Sequence, residues 1–282
     1  MSRQTRYDKV KLLGVEVDEV TIEQAINYIV EWAGDRGRSA GYVVKPYVEF
    51  MDQAARDPEL RRLLDGAELC LADGVALIWA AHYLYAGART NRRFIATLAQ
   101  IITAPQRLQW PLPQKFAGTN FTLPLMKAAA AADLSVYLIG DPTDSRLDDV
   151  AAALHRQIPR LKIVGQRSGR DPKRPRGHVG DAWLAATLAE LRQARPSIVL
   201  VGMGFPLQEQ VMARLAPELS HGVLIGEGGT FDYAEFGGRR RKAPAVLQRA
   251  GLEWLWRLAL QPARLKRQLA IPRYISAIWR SR

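Results

Sequence analysis

Three short stretches of the chain carry the residue types that a group-transfer reaction needs. The first is Leu71-Ala72-Asp73-Gly74, an apolar run ending in a carboxylate and a glycine. At the end of a strand, Asp73 can act as a general base; as the last residue before a helix it can equally cap that helix. The second is Val201-Gly202-Met203-Gly204-Phe205-Pro206-Leu207-Gln208-Glu209. Its glycines let a ligand approach the backbone, and the helix start that follows favours an anion. The third glycine of a dinucleotide fingerprint is missing, so a tight strand-to-helix turn is the competing reading. The third stretch, Gly226-Glu227-Gly228-Gly229-Thr230-Phe231-Asp232-Tyr233, has the glycine density of a backbone nest for phosphate. Asp232 there can accept from a sugar or base hydroxyl, or cap a helix. Nothing suggests a metal: there is no Asp-x-Asp, the histidines (His82, His155, His178, His221) are scattered, and Cys70 is the only cysteine.

These stretches must be held by strands and helices in alternation. Residues 10–17 read as a strand bent at Gly14. Thr21 and Gln24 form a capping box that opens a helix through Trp32. Residues 42–44 read as a strand stopped by Pro46, 48–64 as a helix, 68–72 as a strand and 75–85 as an apolar helix. Residues 103–115, with three prolines, read as a loop. Helices follow at 123–132, 147–157, 183–194 and 208–215, and strands at 135–140, 162–165, 197–202 and 222–226, with a basic loop over 167–180. This alternation predicts an α/β fold, a Rossmann-like parallel sheet with helices on both faces. Ligands of such sheets bind at the carboxyl ends of strands. The loops after Val44, at Asp73-Gly74 and over 202–208 fall there.

Charge divides the chain in two. From Arg239 onward there are twelve basic residues and one acid, Glu253, so this segment holds +11 of the chain's +12. The reading is an α/β catalytic domain over 1–238 and a basic, helical, membrane-associating appendage over 239–282. A polyanion is the expected partner. An anionic membrane fits best, because arginines alternate with Leu255, Leu258, Leu265, Leu269, Tyr274, Ile278 and Trp279. The competing reading packs these apolar residues on the domain's own core. No order of motifs supports nucleic acid. With no run of ~18 apolar residues and no apolar leader, the expectation is a cytoplasmic protein, peripheral on the inner face of the membrane.

Further motifs are Asp57-Pro58-Glu59-Leu60-Arg61, Phe116-Ala117-Gly118-Thr119, Lys242-Ala243-Pro244 and Gly251-Leu252-Glu253-Trp254-Leu255. Joined to the three stretches above, in this order, they resemble the WecG/TagA/CpsF family of glycosyltransferases from about Leu13 to Tyr274. The resemblance implies inverting, metal-independent transfer from a UDP-sugar to an undecaprenyl-diphosphate-linked sugar, with no cofactor. It implies Asp73 as the base, and Gln208 and Asp232 lining the site. It also implies that Arg257, Arg264 and Arg267 reach the donor diphosphate from an appendage docked on the membrane, and it allows a homo-oligomer. The remaining substrate-binding candidates are Tyr47, Gly118, Thr119, Asn120, Gly202, Gly204, Glu209, Gly228, Gly229 and Thr230. Five positions, in four motifs, depart from the family pattern. Lys45-Pro46-Tyr47 replaces Thr-x-Asn, Asn120 replaces Asp, Leu207 replaces Lys and Lys242 replaces Arg. Lysine and tyrosine beside the base change charge and volume, which opens the donor to glucose or another hexose in place of N-acetylmannosamine. Lys45 either stabilises leaving-group charge or pairs with Asp73. A non-catalytic membrane or polyanion binder that kept the fold is the alternative function.

Overall fold

The computed structural model describes residues 7–143, 145–175, 177–244, 246–247, 253–260 and 269–281. The chain opens with a hairpin where a single bent strand was expected. Leu13 and Gly14 both take positive φ (48° and 93°), the backbone of a two-residue hairpin turn, so β1 (Lys9–Leu12) folds back on β2 (Val15–Asp18). Leucine is a poor signal for that geometry. Helix α1 (Ile22–Gly34) starts at Thr21 with the expected capping box.

The long helix expected over 48–64 is two helices, α2 (Val48–Ala54) and α3 (Pro58–Asp65). Asp57 caps α3 by accepting the Glu59 and Leu60 amides, and Pro58, with no N–H to give, sits at its first turn. Between β3 (Gly41–Val44), the short β4 (Leu69–Cys70) and the later strands lie α4 (Val75–Tyr85) and a helix not expected from the sequence, α5 (Asn91–Thr103). The rest alternates as α6 (Gly118–Ala131), β5 (Ser135–Gly140), α7 (Leu147–Gln157), β6 (Lys162–Ser168), α8 (Asp181–Ala194), β7 (Ile198–Gly202), α9 (Leu207–Leu215) and β8 (Val223–Gly226).

Six strands form one parallel sheet in the order β4-β3-β8-β7-β5-β6. The central strands are apolar throughout because both faces are covered. Alternate residues point into two cores. Tyr137, Ile139, Val199, Val201 and Leu224 meet α2, α4, α8 and α9, while Val136, Leu138, Ile198, Leu200 and Ile225 meet α1, α6 and α7.

Two further helices lie in the basic segment, α10 (Glu253–Leu260) and α11 (Ala270–Arg280). The second packs on the body. Tyr274 and Ile278 are fully buried in the core beside α2 and α4, Trp279 meets Phe94 edge-on at 4.4 Å, and Arg273 pairs with Asp52 at 3.1 Å. Burying side chains of that size stabilises by about 1.5–3 kcal/mol each, enough to hold α11 in place. Among the described residues no helix is long and apolar enough to cross a membrane.

Candidate active site

Parallel strands end on one edge of the sheet, and the order β4-β3-β8-β7-β5 sets five of those ends side by side. Backbone hydrogen bonds stitch the loops that leave them. Asp73 donates to Pro46 O (3.0 Å), Phe116 to Ala72 O (2.7 Å), Glu227 to Val201 O (2.7 Å) and Asp141 to Gly202 O (3.1 Å). Asp73 is half-buried on this edge. The cap of α4 is Gly74 and not Asp73, as the helix-cap reading had supposed. Gly74 has φ +104°, and the Tyr47 ring would stand 3.0 Å from any Cβ there, so glycine is required where Tyr47 packs beside the base candidate.

Lys45 follows β3 and forms an ion pair with Glu227, directly after the adjacent strand β8. Nζ lies 2.9 Å from Oε2, with both side chains almost wholly buried (5% and 0% exposed). Thr122, on α6, donates to the same oxygen at 2.7 Å, and the Lys45 ammonium sits 5.2 Å from the Phe121 ring centre. The second oxygen, Glu227 Oε1, is buried with no hydrogen-bond partner among the described residues. Glu227 was missed by the sequence reading as a site residue. The only signal was an acid set between the glycines of a presumed phosphate nest.

The glycines fall into two kinds. Gly204 (φ +75°) and Gly228 (φ +56°) are open: among the described residues nothing lies within 4 Å of an added Cβ. Gly202 and Gly229 are closed off, by Phe231 at 2.6 Å and Arg240 at 2.9 Å. Gly118 abuts Thr230, whose Oγ1 bonds to Glu227 O at 2.6 Å. Gln208 shapes the loop from beneath: Oε1 accepts the Gly228 amide and Nε2 donates to Glu209 Oε1, each at 2.8 Å. Burial outweighs that hydrogen bond and pushes the Glu209 carboxyl up to about 7. Its Oε2 has no hydrogen-bond partner among the described residues, which favours the neutral acid.

Asp232 is buried and accepts the Thr143 amide at 2.6 Å and Arg240 Nη2 at 2.9 Å. Arg240 Nη1 also reaches Gly229 O at 3.3 Å. Asp232 thus ties the loop after β5, the glycine loop and the start of the basic segment together. Among the described residues no group of three acidic, histidine or cysteine side chains is set to hold a metal ion.

The chain matches the profile of the glycosyl transferase WecG/TagA/CpsF family over residues 10–104 and 95–282. It belongs to that family. A WecG/TagA/CpsF glycosyltransferase makes cell-envelope polymers, and family membership points to a sugar-nucleotide donor and a lipid-linked sugar acceptor. In this member, Asp73, Lys45, Tyr47, Gly202, Gly204, Gln208, Glu209, Gly228, Gly229, Thr230 and Asp232 all fall on the same sheet edge, with Gly118 touching it through Thr230. Asn120 is exposed and its amide donates to Lys115 O at 3.3 Å. The side chains of Thr119 and Arg257 lie outside the described set, as do Arg264 and Arg267 entirely.

Proposed function

We propose that this family member is an inverting, metal-independent hexosyl- or N-acetylhexosaminyltransferase. It carries a sugar from UDP to an undecaprenyl-diphosphate-linked sugar at the inner face of the cell membrane. The observation that carries the reading is that a half-buried carboxylate, Asp73, shares one sheet edge with the open glycine positions Gly204 and Gly228.

The chemistry follows from those parts. The acceptor hydroxyl oxygen attacks the anomeric carbon while Asp73 takes its proton. The bond from that carbon to the UDP oxygen breaks on the opposite side, so a single displacement inverts the centre. Negative charge grows on the departing diphosphate and needs positive or N–H-bearing neighbours. Amides around Gly204 and Gly228 and the start of α9 are the groups we assign to that, supported by the open space at both glycines. Arg257, Arg264 and Arg267 of the basic segment supply charge, which removes the need for a metal. Lys45, neutralised by Glu227, shapes the donor pocket together with Tyr47 and favours a hexose that differs from the family's usual donor.

UDP release from a panel of UDP-sugars, with a lipid-diphosphate-linked sugar as acceptor, tests the reading. Asp73→Asn should lower kcat by roughly 10²–10⁴-fold with folding intact. Near-wild-type turnover in that variant removes Asp73 as the base. No UDP release from any donor, in a folded protein that still binds anionic vesicles, leaves a non-catalytic polyanion binder.

A further inference from the structure

Between Asp73 and Asp133 the chain contains no acidic residue, while Arg89, Arg92, Arg93, Arg107, Lys115 and Lys127 fall inside that interval. Helix α5 crosses it. The inner side of α5 is accounted for: Phe94, Leu98 and Ile101 pack on the core, and Thr97 accepts the Trp79 indole N–H at 3.1 Å. Among the described residues nothing packs on its outer side, which is largely apolar. Ile95 is 69% exposed and Ile102 56%, and Trp110, just beyond the helix, is 57% exposed. Ile95 and Ile102 are two helical turns apart and share one face, with the exposed Ala96 and Ala99 between them. Arg92 and Arg107 flank that face and are exposed.

We propose that the outer face of α5, with Trp110, is a docking surface for an anionic lipid bilayer, separate from any contact made by the basic segment. Three observations select lipid as the occupant. Exposed isoleucines with a tryptophan and flanking arginines have the composition of an interfacial helix, whose apolar face enters the headgroup boundary. The charges on and beside α5 in this acid-free interval, Arg89, Arg92, Arg93 and Arg107, are all positive, complementary to an anionic leaflet. Helix α5 also adjoins the basic C-terminal helix, with Phe94 on its inner side against Trp279 and Arg89 Nη1, just before it, donating to Ser281 O at 3.5 Å. The orientation is useful as well. Arg93 Nη1 donates to Tyr83 O at 2.6 Å while Thr97 meets Trp79, so α5 runs antiparallel to α4. Because α4 leaves from Gly74, the Ile102 end of α5 returns toward Asp73. A bilayer seated on this face lies beside the edge where a lipid-linked acceptor must be presented.

The inference rests on the proposed membrane site of transfer, but lipid binding is read without turnover, so each can fail alone. The test is co-sedimentation of the full chain with vesicles of phosphatidylcholine, and of phosphatidylcholine mixed with phosphatidylglycerol. Wild type should bind the mixed vesicles and not the neutral ones. Ile95→Gln with Ile102→Gln should weaken that binding by about ten-fold or more, with unchanged circular dichroism and melting, because both side chains are exposed. Quenching of tryptophan fluorescence by brominated phosphatidylglycerol should fall in Trp110→Phe. Wild-type binding in the double variant, or equal quenching in Trp110→Phe, overturns the proposal. So does a fall in sedimentation coefficient with unchanged vesicle binding, which would make the face a contact between two copies.

Discussion

The Lys45–Glu227 pair gives a sharp test, because its geometry fixes both the size and the sign of what substitution does. At 2.9 Å and an effective dielectric near 20, the Coulomb attraction is roughly 6 kcal/mol before desolvation is charged against it. Both groups are removed from water, so the net value of the intact pair against well-packed apolar residues is close to zero. Removing one partner is different, since it strands a buried charge at a cost of about 3–5 kcal/mol. Glu227→Gln leaves the Lys45 ammonium facing only an amide oxygen and the Phe121 ring. Lys45→Met leaves the Glu227 carboxylate with the Thr122 hydroxyl alone. Each single variant should lose stability in that range, and the double variant should lose less than either. Urea unfolding followed by circular dichroism at all four corners of the cycle reads this. Losses that add to within ~0.5 kcal/mol would refute the reasoning, because non-interacting sites behave that way. The folded double variant also separates two roles for Lys45. Retained UDP release assigns it to packing and pocket shape, whereas loss of release assigns its charge to the leaving group.

Glu209 makes a pH prediction. Its carboxyl titrates near 4.5 when unfolded and near 7 when folded, so the native state holds the proton more tightly. The stability this confers is complete below pH 4.5 and is lost as pH rises through 7, by at most about 3 kcal/mol. Glu209→Gln should flatten the melting temperature over that window and leave the protein more stable than wild type above it; an unchanged pH profile would contradict the assignment. Turnover should persist in excess EDTA, and loss on chelation that Mn²⁺ or Mg²⁺ restores would show a metal in the reaction. Gly228→Val places a branched side chain in the open cradle and should weaken UDP binding by calorimetry more than it weakens vesicle binding. Unchanged UDP affinity would move the donor elsewhere.

Much of the frame is legible in the residues themselves. The runs at 135–140, 197–202 and 222–226 are apolar at every central position because each strand is covered on both faces, and the structure places β5, β7 and β8 there. Thr21 and Gln24 announce α1 because a capping box is a local hydrogen-bond pattern. What depends on strand order is not local. Lys45 and Glu227 lie 182 residues apart and meet only because β8 inserts between β3 and β7. Nothing in either tripeptide announces that neighbour, so pairing with Asp73, one strand to the other side, was as plausible. Asp232 was legible as important but not in kind: its oxygens are engaged by Thr143 and Arg240, a tie that holds loops together. Helix α5 went unread although Thr90 caps it and Phe94, Leu98 and Ile101 keep helical spacing, because its outward isoleucines blur the amphipathic pattern.

The basic segment is fastened at both ends. Arg240 is bound to Asp232 and Gly229 at the glycine loop, and α11 is buried in the core from Ala270 onward. Arg257, Arg264 and Arg267 belong to the chain between those two anchors. In the reaction proposed above, their encounter with the site is intramolecular, and the attachment at both anchors acts as an effective concentration. For short spans this is on the order of millimolar, whatever the amount of protein in the cell. Two consequences follow. On that proposal, the contribution of these arginines to turnover is independent of enzyme dilution. A detached peptide of the same sequence, added to a protein lacking it, must reach ~millimolar levels before it can substitute for the tethered one.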